Sequence, residues 1–232
     1  LDIVCSHCST ITMATAGTKG TIKPYAAFNA TDDAQKLRNA MKGAGTNEEV
    51  IIDIIATRTI AQRQEMKIAF KAAVGKDLED EIKSELTGHF ERVIVGLLKS
   101  ITLYDVEELK RAMKGAGTDE GCLIEILASR SPEDIQRINA TYRHKYDKSL
   151  EDDICSDTSF MFQRVLVSLA TGGRDTSSNV DEALARKDAQ DLYDAGEKQW
   201  GTDEVKFLAI LCTRNRKHLL KVFEDYKKIS KK

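Results

Sequence analysis

The chain has 232 residues, 41% hydrophobic and 31% charged, which suits an ordinary globular protein with a sizeable core. Its formal charge of −2 argues against a nucleic-acid binder that relies on a basic surface, and against simple electrostatic adhesion to acidic lipid. No apolar run approaches the roughly 18–20 residues of a membrane span, and the N-terminus lacks the basic region and apolar core of a signal peptide.

Two prolines and 6% aromatics, set among many Ala, Leu, Ile, Glu and Lys, lean towards an all-α fold. Cys5, Cys8, Cys122, Cys155 and Cys212 form an odd, scattered set. Cys5 and Cys8 have a CxxC spacing, but no second pair or histidine follows at zinc-ligand distance. Cys122 and Cys212 fall in apolar helical stretches, where a buried free thiol is expected. This usage favours a reducing, intracellular compartment.

Residues 1–30 are rich in Thr, Ser and Ala without helical periodicity and read as a flexible tail. Met13 has the texture of a natural start, with 1–12 as an upstream extension. Residues 31–103 read as a first unit of five helices. Leu37, Ala40 and Met41 form an apolar stripe that ends at Gly43, a helix stop. Thr46 with Glu49 forms a capping box for the next helix, whose apolar face is Val50, Ile51, Ile54 and Ile55. A third helix runs near Ala61 to Ala73 and stops at Gly75, and a short fourth covers Asp77 to Lys83. The fifth, near Gly88 to Leu98, is almost wholly apolar around Val93, Ile94 and Val95 and is expected to be buried.

The second unit, 104–171, repeats this plan, with Ser131, Pro132 and Glu133 opening its third helix. Residues 172–187 form a Gly/Ser/Thr-rich linker. The third unit, 188–232, stops after what corresponds to a third helix. Leu192, Phe207, Leu208, Leu211, Leu219, Val222 and Phe223 are therefore expected to lack the covering that Leu78, Ile82 and Val93 supply in the first unit, leaving 188–232 loosely held.

The units declare themselves as repeats. Met41-Lys42-Gly43-Ala44-Gly45-Thr46 recurs letter for letter as Met113-Lys114-Gly115-Ala116-Gly117-Thr118, an interval of 72. The third copy carries Trp200-Gly201-Thr202 in a loop one residue longer. One such loop needs no function: two glycines can stop a helix and a threonine can cap the next. It is no nucleotide loop either, since neither GxxxxGK[ST] nor GxGxxG after a strand occurs. A second element at fixed distance changes the reading. Glu85 lies 39 residues after Thr46, and Asp157 lies 39 after Thr118, each in a polar turn between fourth and fifth helices. A glycine-rich turn can aim several carbonyls at one point, and carbonyls plus one bidentate carboxylate suit calcium, which takes 6–8 oxygens. Such a site keeps positions open for an outside oxygen, for example a lipid phosphate.

This pattern, Met-Lys-Gly-x-Gly-Thr followed by an acid, resembles the endonexin signature of the annexins, and the resemblance runs from about Thr15 to Lys232. It implies an all-α array of five-helix repeats, two complete and a third truncated, curved into a disc that docks on acidic phospholipid through calcium. By the family's motif, the carbonyls of Met41, Gly43 and Gly45 with the Glu85 carboxylate form one Ca2+ site, and Met113, Gly115, Gly117 and Asp157 a second. Gly196, Gln199 and Gly201 match the carbonyl donors of an incomplete third site, whose acid would fall beyond Lys232. Trp200 matches a tryptophan that some annexins expose towards membrane, the alternative being a partly buried loop anchor.

Other residues read as structural. His89, His144 and His218 share no common register. Glu79-Asp80-Glu81 and Glu151-Asp152-Asp153 read as solvated first turns favoured by the helix dipole, with auxiliary calcium binding as second choice. Arg58, Arg130 and Arg214 close the second helix of each unit and are expected to pair with acids of the same repeat. The expectation is a non-enzymatic, calcium-dependent phospholipid-binding protein, peripheral on the cytoplasmic face of membranes when calcium rises. The alternative is an α-helical protein-interaction scaffold whose membrane binding is weakened by truncation.

Overall fold

A computed structural model describes residues 21–43, 45–198 and 200–231. Thirteen α-helices and no strand occur among these residues, which divide into two units at the step from Lys99 to Ser100.

The first unit holds α1 (Ala30–Ala40), α2 (Glu48–Thr57), α3 (Ile60–Val74), α4 (Leu78–Glu85) and α5 (Gly88–Leu98). Their starts follow local chemistry. Asn29 accepts from the Thr31 and Asp32 N–H groups, Thr59 and Gln62 form a capping box, and Asp77 accepts from the Glu79 N–H. Gly75 ends α3 at φ 78°, the left-handed cap that glycine adopts without a Cβ penalty. One face of each helix is apolar, and those faces meet at Leu37, Ile51, Ile55, Met66, Phe70, Leu78, Ile82 and Leu98, all buried. Each such side chain stabilises by roughly 1.5–3 kcal/mol relative to exposure. Arg63 threads this core: its Nε donates to the Ile55 carbonyl at 2.6 Å and its guanidinium to the Leu97 carbonyl at 3.1 Å. It thereby satisfies carbonyls at the C-terminal ends of α2 and α5, and burial pulls its pKa down.

Two expectations change here. Val93 is 59% exposed, while Ile94, Val95 and Leu98 are buried, because α5 turns only one face inward. Within the supposed tail, residues from 21 onward that are described include a docked stretch. The Tyr25 backbone N–H and C=O both bond the Gln62 side chain, the Arg58 guanidinium lies 3.9 Å above the Tyr25 ring, and Phe28 packs against the core. Met13 and residues 1–12 lie outside the described residues, as do Cys5 and Cys8.

The second unit contains α6 (Ile101–Ala112), α7 (Glu120–Ser129), α8 (Pro132–Tyr146), α9 (Leu150–Asp157) and α10 (Phe160–Ala170), then α11 (Glu182–Ala195), α12 (Glu204–Leu211) and α13 (Arg216–Ser230). Helix α6 opens at Ile101, capped by the Ser100 hydroxyl, three residues before the expected boundary at 104. Helix α11 opens at Glu182, inside the supposed linker. The irregular stretch before it is tied down: the Asp175 N–H donates to Thr213 O at 2.7 Å, and Asn215 Nδ2 donates to Asp175 Oδ2 at 2.7 Å and to Asn179 O at 2.9 Å.

Leu192 and Val222, expected to lack partners, are buried where α11 packs along α13. Phe207, Leu211 and Leu219 are partly covered, and Phe223 remains 45% exposed. The contrast with the first unit is specific. Ile51, Ile55 and Phe70 are buried there, whereas Phe207, Leu211 and Tyr226, their counterparts in the third repeat, are only partly buried.

Candidate metal centre

The same frame holds each repeated loop. In the first unit, Arg58 at the end of α2 grips Asp33 in the first turn of α1, Nε to Oδ2 at 2.7 Å and a terminal nitrogen to Oδ1 at 3.2 Å. Arg130 grips Asp105 at 2.5 and 2.8 Å, and Arg214 grips Asp188 at 2.7 and 3.1 Å. The planar guanidinium matches a carboxylate two-pronged, so each pair sets the angle between the helices flanking a loop. The three acids are 1–3% exposed.

The loop between α1 and α2 is pinched at its base by the Asn47 N–H donating to Ala40 O at 2.9 Å. Inside, Gly43 and Gly45 stand at φ 111° and 93°, a region closed to most side chains, with open space where a Cβ would project. The loop between α6 and α7 repeats this: the Asp119 N–H donates to Ala112 O at 2.8 Å, and Gly115 and Gly117 stand at φ 100° and 96°. Met41 is buried and Met113 half-buried, so each loop leaves its helix from an anchored side chain.

The threonines do not start the following helices. Asn47 and Asp119 are the N-caps, their side chains accepting from Val50 N and Cys122 N. Thr46 instead donates its hydroxyl to Glu85 Oε2 at 2.7 Å, and Thr118 donates to Asp157 Oδ2 at 2.6 Å. Two adjacent residues able to cap a helix compete for that role. Tertiary structure assigns the cap to the second by giving the first a carboxylate. The signal for this was present in the sequence, since threonine and acid recur at the same separation.

The bonds bring the end of α4 to the first loop and the end of α9 to the second. Each carboxylate keeps its other oxygen, and a lone pair on the bonded one, for a further partner. Among the described residues no three His, Cys, Asp or Glu side chains gather at one point. A metal held at either loop would meet that one carboxylate and loop carbonyls, an all-oxygen set with hard-cation character. These donors fit calcium and are unsuited to the softer metals that thiolates and imidazoles select.

The third loop differs. Its base is closed by the Asp203 N–H donating to Ala195 O at 2.8 Å, with one more residue enclosed than in the other two. Gly201 stands at φ 92°, but Gly196 has a negative φ of −121° and packs against Phe207. Gln199 lies outside the described residues. Thr202 is exposed, whereas Thr46 and Thr118 are half-buried. Trp200 is fully exposed, which removes the partly buried anchor reading.

The acidic first turns are less solvated than expected. Glu79 pairs with Lys67, and Asp153 is buried among donors from Lys110, Lys148 and Tyr142. Burial opposes ionisation of Asp153, yet those donors outweigh it and hold the pKa at about 2. His218 is buried, with Nε2 3.0 Å from Asp188 Oδ2, a structural partner in the third Arg–Asp pair. Cys212 is buried and Cys122 half-buried, and burial pushes the Cys122 thiol up, which suits an inert side chain.

Five-helix units that pinch off glycine loops, each tied by its threonine to a carboxylate from its own fourth helix, define a class of helical repeat protein. The family model "Annexin" matches residues 32–97, 104–169 and 187–232. Annexin A4 of Homo sapiens is 66% identical over 220 residues, 95% of this chain and 68% of that protein. Among solved structures, annexin III superposes with a TM-score of 0.89 at 46% identity, over 92% of this chain and 66% of its own. A calcium-bound annexin (Sm)1 superposes with a TM-score of 0.78 at 30% identity, over 90% of this chain and 64% of its own. The chain belongs to the annexin family and spans about two thirds of the length of these relatives.

Proposed function

We propose that the chain binds Ca2+ in two loops and, through the bound ions, docks on acidic phospholipid. The carbonyls of Met41, Gly43 and Gly45 with the Glu85 carboxylate hold one ion, and those of Met113, Gly115 and Gly117 with Asp157 hold the other. The observation that carries this reading is the repeated threonine–acid bond, which brings a carboxylate to each glycine loop. Calcium as the ion is supported by the oxygen-only donor set and by the calcium-bound annexin (Sm)1 relative.

A net charge of −2 gives the protein no electrostatic pull of its own towards an anionic bilayer. Calcium in the loops supplies that positive charge, and the coordination positions the protein leaves open take lipid phosphate oxygens. Trp200 projects into solvent as a membrane contact. The protein is then peripheral, recruited to the cytoplasmic face of membranes as calcium rises, and needs no enzymatic step.

Each loop alone should bind calcium weakly, at roughly 10⁻⁴–10⁻³ M. Acidic lipid tightens binding reciprocally, because a lipid that prefers the calcium-loaded form raises its calcium affinity by the same factor. Calcium titration with and without phosphatidylserine vesicles tests this. Equal affinities in the two titrations would refute the bridge.

A further inference from the structure

Phe160, the first residue of α10, is 88% exposed and stands at φ 52°. Both facts are unfavourable locally. A bulky side chain avoids the left-handed region, and a phenyl ring in water gains nothing from burial. The turn itself has no need of the ring. Gly88 holds the same position in the first unit at φ 67°, and α5 follows it just as α10 follows Phe160.

The turn that carries the ring is firmly held. Gln163 Nε2 donates to Thr158 O at 2.7 Å and to Cys155 O at 2.8 Å, bracing the chain on both sides of Asp157. Thr118 then binds this turn to the second glycine loop through Asp157 Oδ2 and, at 3.2 Å, the Asp157 carbonyl. In the first unit the position of Gln163 is Glu91, which lacks the amide N–H donors that make those bonds. A braced turn and an outward aromatic ring thus occur together at the second centre, while the first has glycine.

We infer that Phe160 is an apolar anchor that enters the acyl boundary of an acidic bilayer when the second centre binds calcium; this rests on the membrane reading proposed above. Only two residues separate it from Asp157, so a headgroup held at that centre brings lipid to the ring. The neighbours favour a bilayer over a protein groove. Ser156, Ser159 and Arg164 are exposed while Met161 and Phe162 are partly buried, so the ring stands out among polar exposed side chains of its own turn. Arg164 lies four residues along α10, on the same helix face, where a phosphate would meet it as the ring enters. Aromatic rings concentrate at this depth of a membrane.

Phe160→Gly installs the residue the first unit uses, so the turn keeps its shape. At fixed calcium the variant should need about tenfold more phosphatidylserine vesicle lipid for half-saturation. Its calcium affinity without lipid and its helical circular dichroism should match the parent. Vesicle binding equal to the parent overturns the inference alone and points to another partner, such as a protein, for the ring. Failure of the parent chain to sediment with vesicles in calcium overturns the membrane reading as well. A second variant, Phe160→Trp with Trp200→Phe, places the single tryptophan at the turn. Its emission should shift to the blue and be quenched by doxyl-labelled lipid in calcium but not in chelator. An unshifted, unquenched emission from vesicle-bound protein also overturns the inference.

Discussion

Thr46 and Glu85, 39 positions apart, share a 2.7 Å hydrogen bond that ties the first glycine loop to the last residue of the fourth helix. Thr118 and Asp157 repeat the bond at 2.6 Å across the same separation. The threonines hold the acids in place, and separate consequences follow for the acids, the threonines, the frame behind the loops and the response to pH.

Replacing Glu85 by Gln and Asp157 by Asn keeps size but removes charge and two-oxygen coordination. Both acids are only half-buried, so the double variant should keep its helical circular dichroism. Its half-maximal calcium concentration for phosphatidylserine vesicle binding should rise by about tenfold or more. Undiminished binding in a sedimentation assay would show that these carboxylates are not the ligands.

Thr46→Val preserves shape and deletes the donor to Glu85. Asn47 still caps α2, so the melting temperature should barely move while the calcium requirement at the first loop rises about threefold to tenfold. Asn47→Ala should behave differently, costing about 1 kcal/mol of stability through the lost cap. Calorimetry and calcium titration on the pair separate the roles. A stability loss in the threonine variant as large as that in the asparagine variant would restore threonine as the cap.

Asp33 is 2% exposed and paired with Arg58. Arg58→Leu leaves a buried carboxylate without its partner, and urea unfolding should show a loss of about 3–5 kcal/mol. Adding Asp33→Leu should recover much of it, because an apolar pair needs no desolvation of charge. If the double variant is no more stable than the single, the loss comes from the Arg58 stack on Tyr25 and not from the orphaned acid.

Asp153 has a folded pKa of about 2 against an ordinary 3.8, with burial opposing and the bonds from Lys110, Lys148 and Tyr142 prevailing. A carboxylate depressed in this way contributes stability that is complete above its unfolded value and lost as pH falls through its folded one. The contribution, about 2 kcal/mol, should disappear between pH 4 and pH 2. Unfolding free energies measured across that range should fall less steeply in Asp153→Asn than in the parent. Identical slopes would assign the acid sensitivity to other groups, such as Asp188 beside Arg214 and His218.

Much of the molecule is legible in the chain because its causes are local. The apolar stripe through Leu37 and Ala40, the stop at Gly75 and the start at Pro132 depend on residues within a turn or two of each other, and the 72-residue interval repeats those local patterns. The pairing of Arg58 with an acid was also foreseeable, since all three units carry both residues in register. What tertiary structure alone decided is the choice between equivalent local options. Thr46 and Asn47 can each cap a helix, and Glu85, brought from 39 residues away, draws the threonine off. Asp153 reads as a solvated first-turn acid until α6 and α8 bring Lys110 and Tyr142 to it. Val93 sits in an apolar run yet faces water, and Phe160 sits where a repeat would place glycine yet keeps a left-handed backbone. Backbone sterics and neighbouring side chains act within a few residues, whereas burial and the choice of a distant partner exist only once the helices have packed.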